Sequence, residues 1–136
     1  MASTTNVFTL STQGNNDVVD LTSMAREAVA SSAVHEGTCT VFAPHTTVGV
    51  TALEFEPGAN RDLGEVVDKL VPSGGSYHHN VMDSNGHAHA RAAIVGPSVT
   101  VPIVGGHLAL GTWQSIALVD FDDRPRERTL YVQIQS

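Results

Sequence analysis

Two adjacent glycines, Gly105 and Gly106, place the strongest constraint on how this chain can fold. They separate two β-branched, alternating runs at residues 98–104 and 107–110. A type I′ turn needs positive φ at both central positions, and glycine adopts positive φ at little cost. The pair therefore predicts a β-hairpin and, with it, an antiparallel sheet. Because Pro102 has no N–H to donate, its strand is expected to lie at a sheet edge or to carry a bulge.

Other runs of alternating or helical periodicity indicate further elements. Residues 112–121 and 129–135 are predicted to be strands joined by a turn at 122–126, which makes a second hairpin. Further strands are predicted at 7–11, 18–21, 38–43 and 48–53, and helices at about 24–35, 60–70 and 86–95. The whole chain, 1–136, is thus predicted to be one α+β domain, an antiparallel-rich β-sandwich with two to three packed helices.

Local residues predict how the first two helices begin and end. Thr22 or Ser23 is expected to cap the first helix, and Gly37 to stop it just beyond His35, whose protonated ring would favour the last turn. Pro72 is expected to end the second helix. The residues predicted to be buried on that helix are Leu63, Val66, Val67 and Leu70.

Length and composition limit the partners. The chain has 136 residues and a formal net charge of -7, and its few basic residues are scattered apart from Arg124, Arg126 and Arg128. Binding to nucleic acid depends on neutralising phosphates with Lys and Arg, so no nucleic-acid partner is expected. A small anionic ligand stays open, because two or three local donors suffice.

Cysteine content and hydropathy bear on location. Cys39 is the single cysteine, and it is expected to be a small core residue. The N-terminus has no basic start followed by an apolar run, and no stretch approaches the ~20 apolar residues that span a bilayer. The protein is therefore expected to be soluble and cytoplasmic, without a membrane partner.

A histidine-rich run at residues 77–89 is the feature that most suggests chemistry. It combines four imidazoles with a carboxylate and two amides, and His45 stands alone upstream at a predicted strand end. Neutral imidazoles suit metal or phosphate chemistry, although clustered histidines also occur in solvated loops. Within the run, His87 and His89 are two residues apart, so on a helix they point about 200° away from each other and only one can reach a given ion.

Several motifs occur in one order and resemble the YjbQ family, small proteins described as secondary thiamine-phosphate synthases. The resemblance runs from about residue 7 to 134 and implies an α+β sandwich, a homotrimer, and a site near the imidazoles and close to a subunit boundary. The motifs are Pro44-His45-Thr46-Thr47, Glu54, Arg61-Asp62-Leu63, Tyr77-His78-His79-Asn80, residues 83–89, Gly96-Pro97-Ser98 and residues 106–114, which end in Leu110-Gly111-Thr112-Trp113-Gln114.

The resemblance also implies a ligand set, because family imidazoles match His45, His79 and His89. Three neutral histidines with an open position are typical of a catalytic zinc site, where bound water is acidified toward neutrality. Glu54 would then be a general base or a partner of a ligand, or equally a plain loop carboxylate. Asp83 would fix a histidine tautomer, or instead form an Asx-turn with Asn85.

Thiamine-phosphate synthesis joins a pyrimidine pyrophosphate to a thiazole phosphate, so the leaving charge must be neutralised, usually with a divalent cation such as magnesium. The residues predicted to bind this phosphorylated substrate are Arg61, Arg91, Ser98, Thr112 and Gln114. Arg61 could equally pair with Glu65 at the i, i+4 spacing.

Three functions fit these residues: a metal-binding transferase acting on a small phosphorylated substrate, a non-catalytic trimeric protein that binds a metal or anion, and a metal-dependent hydrolase. Fold and ligand set do not dictate the reaction.

Overall fold

The computed structural model describes residues 2–136, which form two antiparallel sheets and three α-helices. The strands are β1 (Ser3–Thr12), β2 (Asp17–Asp20), β3 (Gly37–Phe42), β4 (Val48–Leu53), β5 (Ser98–Val104), β6 (His107–Leu108), β7 (Ser115–Asp120) and β8 (Arg126–Gln135). The helices are α1 (Thr22–Ser32), α2 (Pro57–Leu70) and α3 (Gly86–Val95), and a 3₁₀ turn covers His78–Val81. One sheet has the strand order β1-β8-β3-β5-β6 and the other has β2-β7-β4. The predicted α+β sandwich is confirmed.

The main core lies between the two sheets. Alternate residues of β8, such as Leu130 and Val132, are fully buried and pack in one cluster with Leu118 of the smaller sheet. Such alternation is what a strand with one buried face requires. Helix α1 adds Val29 to this cluster. Cys39 is buried there as predicted, and burial raises the pKa of its thiol to about 11.

The Gly-Gly hairpin forms as predicted, with φ of 57° at Gly105 and 82° at Gly106. Its second strand is only two residues long and pairs with residues 103 and 104, so the rest of β5 is a sheet edge. Pro102 lies on that edge, and its carbonyl accepts a hydrogen bond from Ala109 N–H at 2.9 Å, away from β3. The N–H and C=O of one residue point to the same side of a strand. Proline therefore costs no bond to β3.

The predicted second hairpin is wrong. Strand β7 pairs with β2 and β4, whereas β8 pairs with β1 and β3 in the other sheet. Residues 121–125 cross between the sheets instead of turning back. The connections 13–16 and 43–47 also cross between the sheets, and all three lie at the same end of the sandwich. We call this end the crossover end.

Three helix boundaries differ from the prediction. Helix α1 begins at Thr22, directly after Leu21, so the prediction that Thr22 or Ser23 caps it is wrong. Thr22 Oγ1 instead donates to Asp20 Oδ1 at 2.6 Å.

The other two boundaries differ for local backbone reasons. Helix α1 ends at Ser32, because Ala33 takes a left-handed φ of 57°, so His35 lies beyond its last turn and Gly37 belongs to β3. Helix α2 begins at Pro57, three residues early, because Glu56 accepts backbone N–H bonds from Gly58 and Ala59 and caps it. Proline at the first helical position needs no N–H partner.

The buried face of α2 is narrower than predicted. Val67 is buried and Leu63 is partly buried against Phe121, but Val66 is 50% and Leu70 is 71% exposed. Positions 63 and 67 are four apart and share one helix face, whereas 66 and 70 share a neighbouring face that contacts no layer of the fold. The prediction that Val66 and Leu70 are buried is wrong.

Helix α3 spans the predicted residues and lies directly on β4. A Cβ at Gly49 would come within 2.5 Å of Val95 Cγ1, so only glycine lets the helix approach this closely. Phe121 fills the space beside that contact and packs with Ala88 and Ala92. The position of α3, and of every side chain it carries, therefore depends on this small second core.

Candidate functional site

The three histidines implied by the resemblance line one cavity of about 500 Å³ at the crossover end. His45 comes from the connection 43–47, His79 from the 3₁₀ turn and His89 from α3. The charged and amide side chains that also line the cavity are those of Asp83, Asn85, Asp122, Arg126 and Arg128. We call this space the histidine cavity.

His45 continues the hydrogen bonding of β8 where β3 stops. The β3–β8 ladder ends at the Phe42–Tyr131 pair, and the next residue that could reach Thr129 is Pro44, which has no N–H. The His45 ring takes this place: Nε2 accepts Thr129 N–H at 2.9 Å and lies 3.2 Å from Thr129 O. Its Nδ1 lies 3.5 Å from Arg128 Nη1. This imidazole is therefore held against the backbone beside a cation.

His79 and His89 are brought together by a close contact between the 3₁₀ turn and α3. Their ring centroids are 4.2 Å apart with an interplanar angle of 51°. The contact is possible because Gly86 has no side chain: a Cβ there would lie 2.6 Å from the Cβ of Tyr77. Asn80 Oδ1 also accepts Gly86 N–H at 2.9 Å and fixes the turn to the helix. Burial, and then the neighbouring His79, lower the pKa of His89, which favours a neutral ring.

His87 points away from this pair. It lines a different cavity, with Arg91, on the other side of α3, as the two-residue spacing on a helix requires. His35 and His107 also lie outside the histidine cavity, near the Gly105–Gly106 turn, where Gly106 N–H donates to His35 O at 3.0 Å.

The floor of the histidine cavity is a buried ion-pair network. Arg128, 5% exposed, donates from Nε to Asp120 Oδ2 at 2.7 Å and from Nη2 to Asp120 Oδ1 at 3.0 Å, a bidentate pair. The same Nη2 donates to Thr47 Oγ1 at 2.8 Å, and Thr12 Oγ1 donates to Asp120. The network thus joins the ends of β1, β7 and β8 to the connection 43–47. Its charges are paired with each other and are not free for a ligand.

Arg126 differs from Arg128 in this respect. Its Nε donates to Asp122 Oδ2 at 3.1 Å, and its side chain is 39% exposed. Neither terminal nitrogen of Arg126 has a hydrogen-bond partner among residues 2–136. Asn85 lies beside the same carboxylate: its Nδ2 donates to Asp122 Oδ1 at 3.3 Å, and its Oδ1, although buried, has no partner in the described part of the chain. These two side chains offer the cavity hydrogen-bonding groups that the fold does not use.

The two predicted catalytic carboxylates do not contact an imidazole. Asp83 lines the cavity but binds Ser84 N–H at 2.7 Å and Arg124 Nη2 at 2.8 Å, and these two contacts lower its pKa. Glu54 is exposed between β4 and α2, outside the histidine cavity.

The predicted substrate-binding residues also lie outside the histidine cavity. Arg61 pairs with Glu65 at 3.2 Å on the surface of α2, the alternative raised by its spacing. Arg91 is buried on the far side of α3. Ser98 starts β5, Thr112 is exposed, and Gln114 Oε1 accepts Gly111 N–H at 2.8 Å in the turn before β7.

The contacts of the imidazole rings limit how a metal ion could bind in the histidine cavity. Within residues 2–136, no three His, Cys, Asp or Glu side chains are grouped so that they could hold one ion. The His79–His89 pair fits two ligand positions, but His45 does not fit a third as it lies, because its nitrogens face Thr129 and Arg128. The three-histidine site stays a prediction, with two of its members adjacent.

The residues that sequence reasoning missed are Asn85, Asp120, Asp122, Arg126 and Arg128 as parts of a site. A signal was present: Asp120 and Asp122 alternate, and so do Arg126 and Arg128, so each pair presents its side chains to one side of an extended chain. Opposite charges placed in this way on either side of a short connection favour ion pairing across it.

Acid is expected to remove a stabilising contribution of His45. Burial, and then the Arg128 guanidinium, lower the pKa of this ring below its usual value, so between the folded-state and unfolded-state pKa values the unfolded chain binds more protons. The contribution is complete above the unfolded value of ~6.5 and is lost as pH falls through that window toward the folded-state value. We expect His45→Gln to lose less unfolding free energy than wild type between about pH 7.5 and 5.5, measured by urea denaturation.

The matched control is His78→Gln, which changes an exposed ring outside the histidine cavity. It should keep the pH dependence of the wild type. If the unfolding free energy of His45→Gln depended on pH in the same way as that of wild type, His45 would not be the source of this pH dependence.

None of the helices within residues 2–136 is long and apolar enough to cross a membrane.

Comparison with known proteins agrees with this architecture. The sequence profile of the family described as UPF0047 protein YjbQ-like matches residues 6–136. A UPF0047 protein of Archaeoglobus fulgidus is 41% identical over 126 residues, which cover 93% of this chain and 97% of that protein. A UPF0047 protein of Mycobacterium tuberculosis is 45% identical over 112 residues, covering 80% and 82%.

Solved structures show the same fold. The crystal structure of a YbjQ-like protein of unknown function from Sulfolobus solfataricus superposes with a TM-score of 0.94 at 32% identity, covering 98% of this chain and 96% of that one. A hypothetical protein from Aeropyrum pernix gives 0.92 at 38% identity, covering 98% of both chains. With matching family profile, relatives and fold, the chain belongs to the UPF0047 family of YjbQ-like proteins.

Proposed function

We propose that the histidine cavity binds a small phosphorylated substrate and that the protein is a transferase of the thiamine-phosphate synthase kind. The observation that carries the proposal is that the two terminal nitrogens of Arg126 have no hydrogen-bond partner among residues 2–136, in a side chain that lines the same cavity as His79 and His89. A guanidinium with a free terminal fork matches two oxygens of a phosphate group.

Charge pairing decides which arginine would bind the phosphate. Arg128 is buried and bound to Asp120 through both oxygens of that carboxylate. Arg126 keeps only one contact, to Asp122, and Asp122 also accepts Thr47 Oγ1 at 3.0 Å. This contact orients the Arg126 guanidinium without using its terminal nitrogens. Asn85 Oδ1, buried and unpartnered, would accept a hydrogen bond from the organic part of the substrate.

The two adjacent imidazoles would supply acid–base chemistry next to the phosphate. The lowered pKa of His89 favours its neutral form, which can accept a proton or a hydrogen bond. His79 lies on the exposed side of the pair, on the 3₁₀ turn.

The chemistry of the proposed reaction fits these roles. Joining a pyrimidine pyrophosphate to a thiazole phosphate releases pyrophosphate, so negative charge grows on the leaving group. Donors already in place near that charge stabilise the transition state, since they do not have to reorganise. Arg126 is the cation placed for this in the described cavity.

Zinc, or magnesium accompanying a pyrophosphate, would supply further positive charge to the leaving group when bound. The residues that fit a zinc ion are His79 and His89, whereas magnesium prefers oxygen ligands and would be held mainly by the pyrophosphate. Since protons compete for imidazole nitrogens, we expect zinc bound to the purified protein to decrease as pH falls from about 8 to 5. Elemental analysis of wild type and His89→Ala across that range tests this, and equal zinc content in both proteins would contradict it.

The proposal includes the homotrimer implied by the resemblance. Exposed apolar side chains support an assembly: Val81 is 89% and Met82 is 83% exposed, next to His79. Val7 and Phe42 are also exposed, on either side of Tyr131 in the five-stranded sheet. Light scattering measures the assembly directly.

Substitution of Arg126 tests the phosphate site. Arg126→Gln keeps the polarity and length of the side chain but removes the charge and the fork. Because charge-assisted hydrogen bonds contribute about 1.5–3 kcal/mol, we expect the affinity for pyrophosphate to fall by about 10- to 100-fold. Isothermal titration calorimetry of wild type and variant measures this difference.

The control is Arg61→Gln, which removes the same charge from the surface of α2. It should leave pyrophosphate affinity unchanged. Equal affinity in wild type and Arg126→Gln, or an equal loss in Arg61→Gln, would refute the site. Assays of pyrophosphate release with the two substrates then separate a transferase from a protein that only binds the anion, and release from the pyrimidine substrate alone would identify a hydrolase.

A further inference from the structure

A second polar cavity lies behind α3, on the opposite side of the helix from His89. We call it the rear cavity. It has a volume of about 360 Å³, within the range of small-molecule sites. Its walls come from the turn 13–16, the end of α2, the following loop and α3. The polar side chains in these walls include those of Asn16, Asp68, His87 and Arg91.

His87 is a buried polar group that the fold leaves unused. The side chain is 5% exposed, and its imidazole makes no hydrogen bond to any residue from 2 to 136, including at the buried Nδ1. Buried polar side chains in folded proteins nearly always have a partner. An apolar residue would fill the same space without the cost of burying an imidazole nitrogen that has no hydrogen bond. A ligand that bonds to this ring would account for its presence.

Arg91 makes the rear cavity a built site. It is 4% exposed and donates to Val71 O from Nε at 2.9 Å and from Nη2 at 2.7 Å, and to Asn16 Oδ1 from Nη1 at 2.9 Å. Its Nη2 also lies 3.0 Å from Asp68 Oδ1. These bonds join α2, the turn 13–16 and α3 around the cavity. Guanidinium has five N–H donors, so within residues 2–136 one N–H on Nη1 has no acceptor, and Asp68 Oδ2 accepts no bond from these residues either.

The charges define the class of ligand. An anion gains little here, because the Arg91 charge is already paired with Asp68 and the free oxygen of Asp68 would repel it. A metal ion would have only His87 and Asp68 as ligands, beside a guanidinium. The wall offers three groups: the carboxylate of Asp68 as an acceptor, an N–H of Arg91 as a donor, and the imidazole of His87. A carboxamide carries the complementary N–H and C=O groups.

We propose that the rear cavity binds a small uncharged molecule bearing a carboxamide, whose N–H donates to Asp68 and whose carbonyl accepts from Arg91 and meets the His87 ring. This site is separate from the histidine cavity and does not depend on the function proposed for it. It also gives a role to His87, which belongs to the motif at residues 83–89, and to Arg91, which was predicted to bind substrate but does not line the histidine cavity.

Nicotinamide and nicotinate test the proposal as a matched pair, because they have the same ring and size but differ in charge. At about pH 8, where free imidazole is neutral, side-chain NMR of histidine-labelled protein follows each titration. We expect nicotinamide to shift the His87 resonances in a saturable way and nicotinate to bind at least tenfold more weakly. His89→Gln, altered on the other face of α3, should bind nicotinamide like wild type.

Two variants examine the contacts separately. His87→Phe keeps a ring of similar size without nitrogens and should weaken nicotinamide binding at least tenfold, measured by isothermal titration calorimetry of wild type and variant because this variant has no His87 resonance to follow. Asp68→Asn, a change at a partly exposed side chain, should reduce the preference for nicotinamide over nicotinate, and it serves even if His87→Phe does not fold. Shifts that never saturate, meaning that the cavity holds water only, would overturn the proposal. So would equal binding of the two probes, or wild-type behaviour in the variants.

Discussion

Replacement of Arg128 by methionine is expected to lower the free energy of unfolding by about 3–5 kcal/mol, because it leaves a buried carboxylate without its cation. Asp120 is fully buried, and Arg128 binds both of its oxygens. Water cannot replace the guanidinium at that depth without opening the crossover end. The loss should therefore appear in urea or guanidinium denaturation as a lower midpoint with an unchanged slope.

Arg126→Met is the matched control for this prediction. Arg126 bears the same charge two residues away, but it is 39% exposed and makes one contact to Asp122. Its replacement should cost about 1 kcal/mol or less, because the Arg126 side of the pair is exposed and the buried Asp122 keeps hydrogen bonds from Thr47 and Asn85. Equal destabilisation by the two substitutions would show that the Arg128–Asp120 pair is not the element that joins the sheets.

Replacement of Phe121 by alanine is expected to destabilise the protein by about 3–5 kcal/mol, the usual cost of removing a buried aromatic ring. Phe121 is fully buried and fills the second core, where Val67 of α2 and Ala88 and Ala92 of α3 pack. Since α3 carries His89 and Asn85 precedes it, a looser helix should also weaken pyrophosphate binding in the protein that stays folded.

Phe55→Ala provides the comparison, because that ring is 41% exposed and belongs to neither core cluster. It should cost less than about 1 kcal/mol and leave pyrophosphate affinity unchanged. If Phe121→Ala were as stable as Phe55→Ala, α3 would not depend on the second core. Calorimetry and denaturation on the same preparations separate the effect on binding from the effect on folding.

Local sequence was a reliable guide wherever one residue type decides the backbone or the side-chain direction. Gly105 and Gly106 adopt the positive φ values that their hairpin requires. Helix α3 covers the predicted residues, and the two-residue spacing sends His87 and His89 to different cavities. These outcomes depend only on contacts within a few residues, so the sequence suffices for them.

Predictions failed where residues distant in sequence compete. The turn-like segment between 112–121 and 129–135 predicts that these two strands pair with each other. In the structure they belong to different sheets. No local signal reports that β7 is more stable between β2 and β4. The same holds for Val66 and Leu70, which have the spacing of a buried helix face but find no layer to pack against.

The candidate site also combines features that local sequence predicts with features that depend on distant residues. The histidines could be named from their motifs, and three of them line one cavity. Their surroundings could not be predicted. His45 accepts a hydrogen bond from Thr129 N–H, Asp83 binds Arg124, and the predicted substrate-binding residues lie outside the cavity. Arg126, the group with free donors, became recognisable only once its neighbour Arg128 was seen to be buried against Asp120.

The sequence by itself therefore determined the elements, the turn that glycine makes possible, the face of α3 on which each histidine lies, and the family. The tertiary structure alone decided which charges are buried and paired, and hence which remain for a ligand. The physical reason is that φ preferences and helix periodicity act over a few residues. Desolvation and ion pairing instead depend on which distant segments come together at the crossover end.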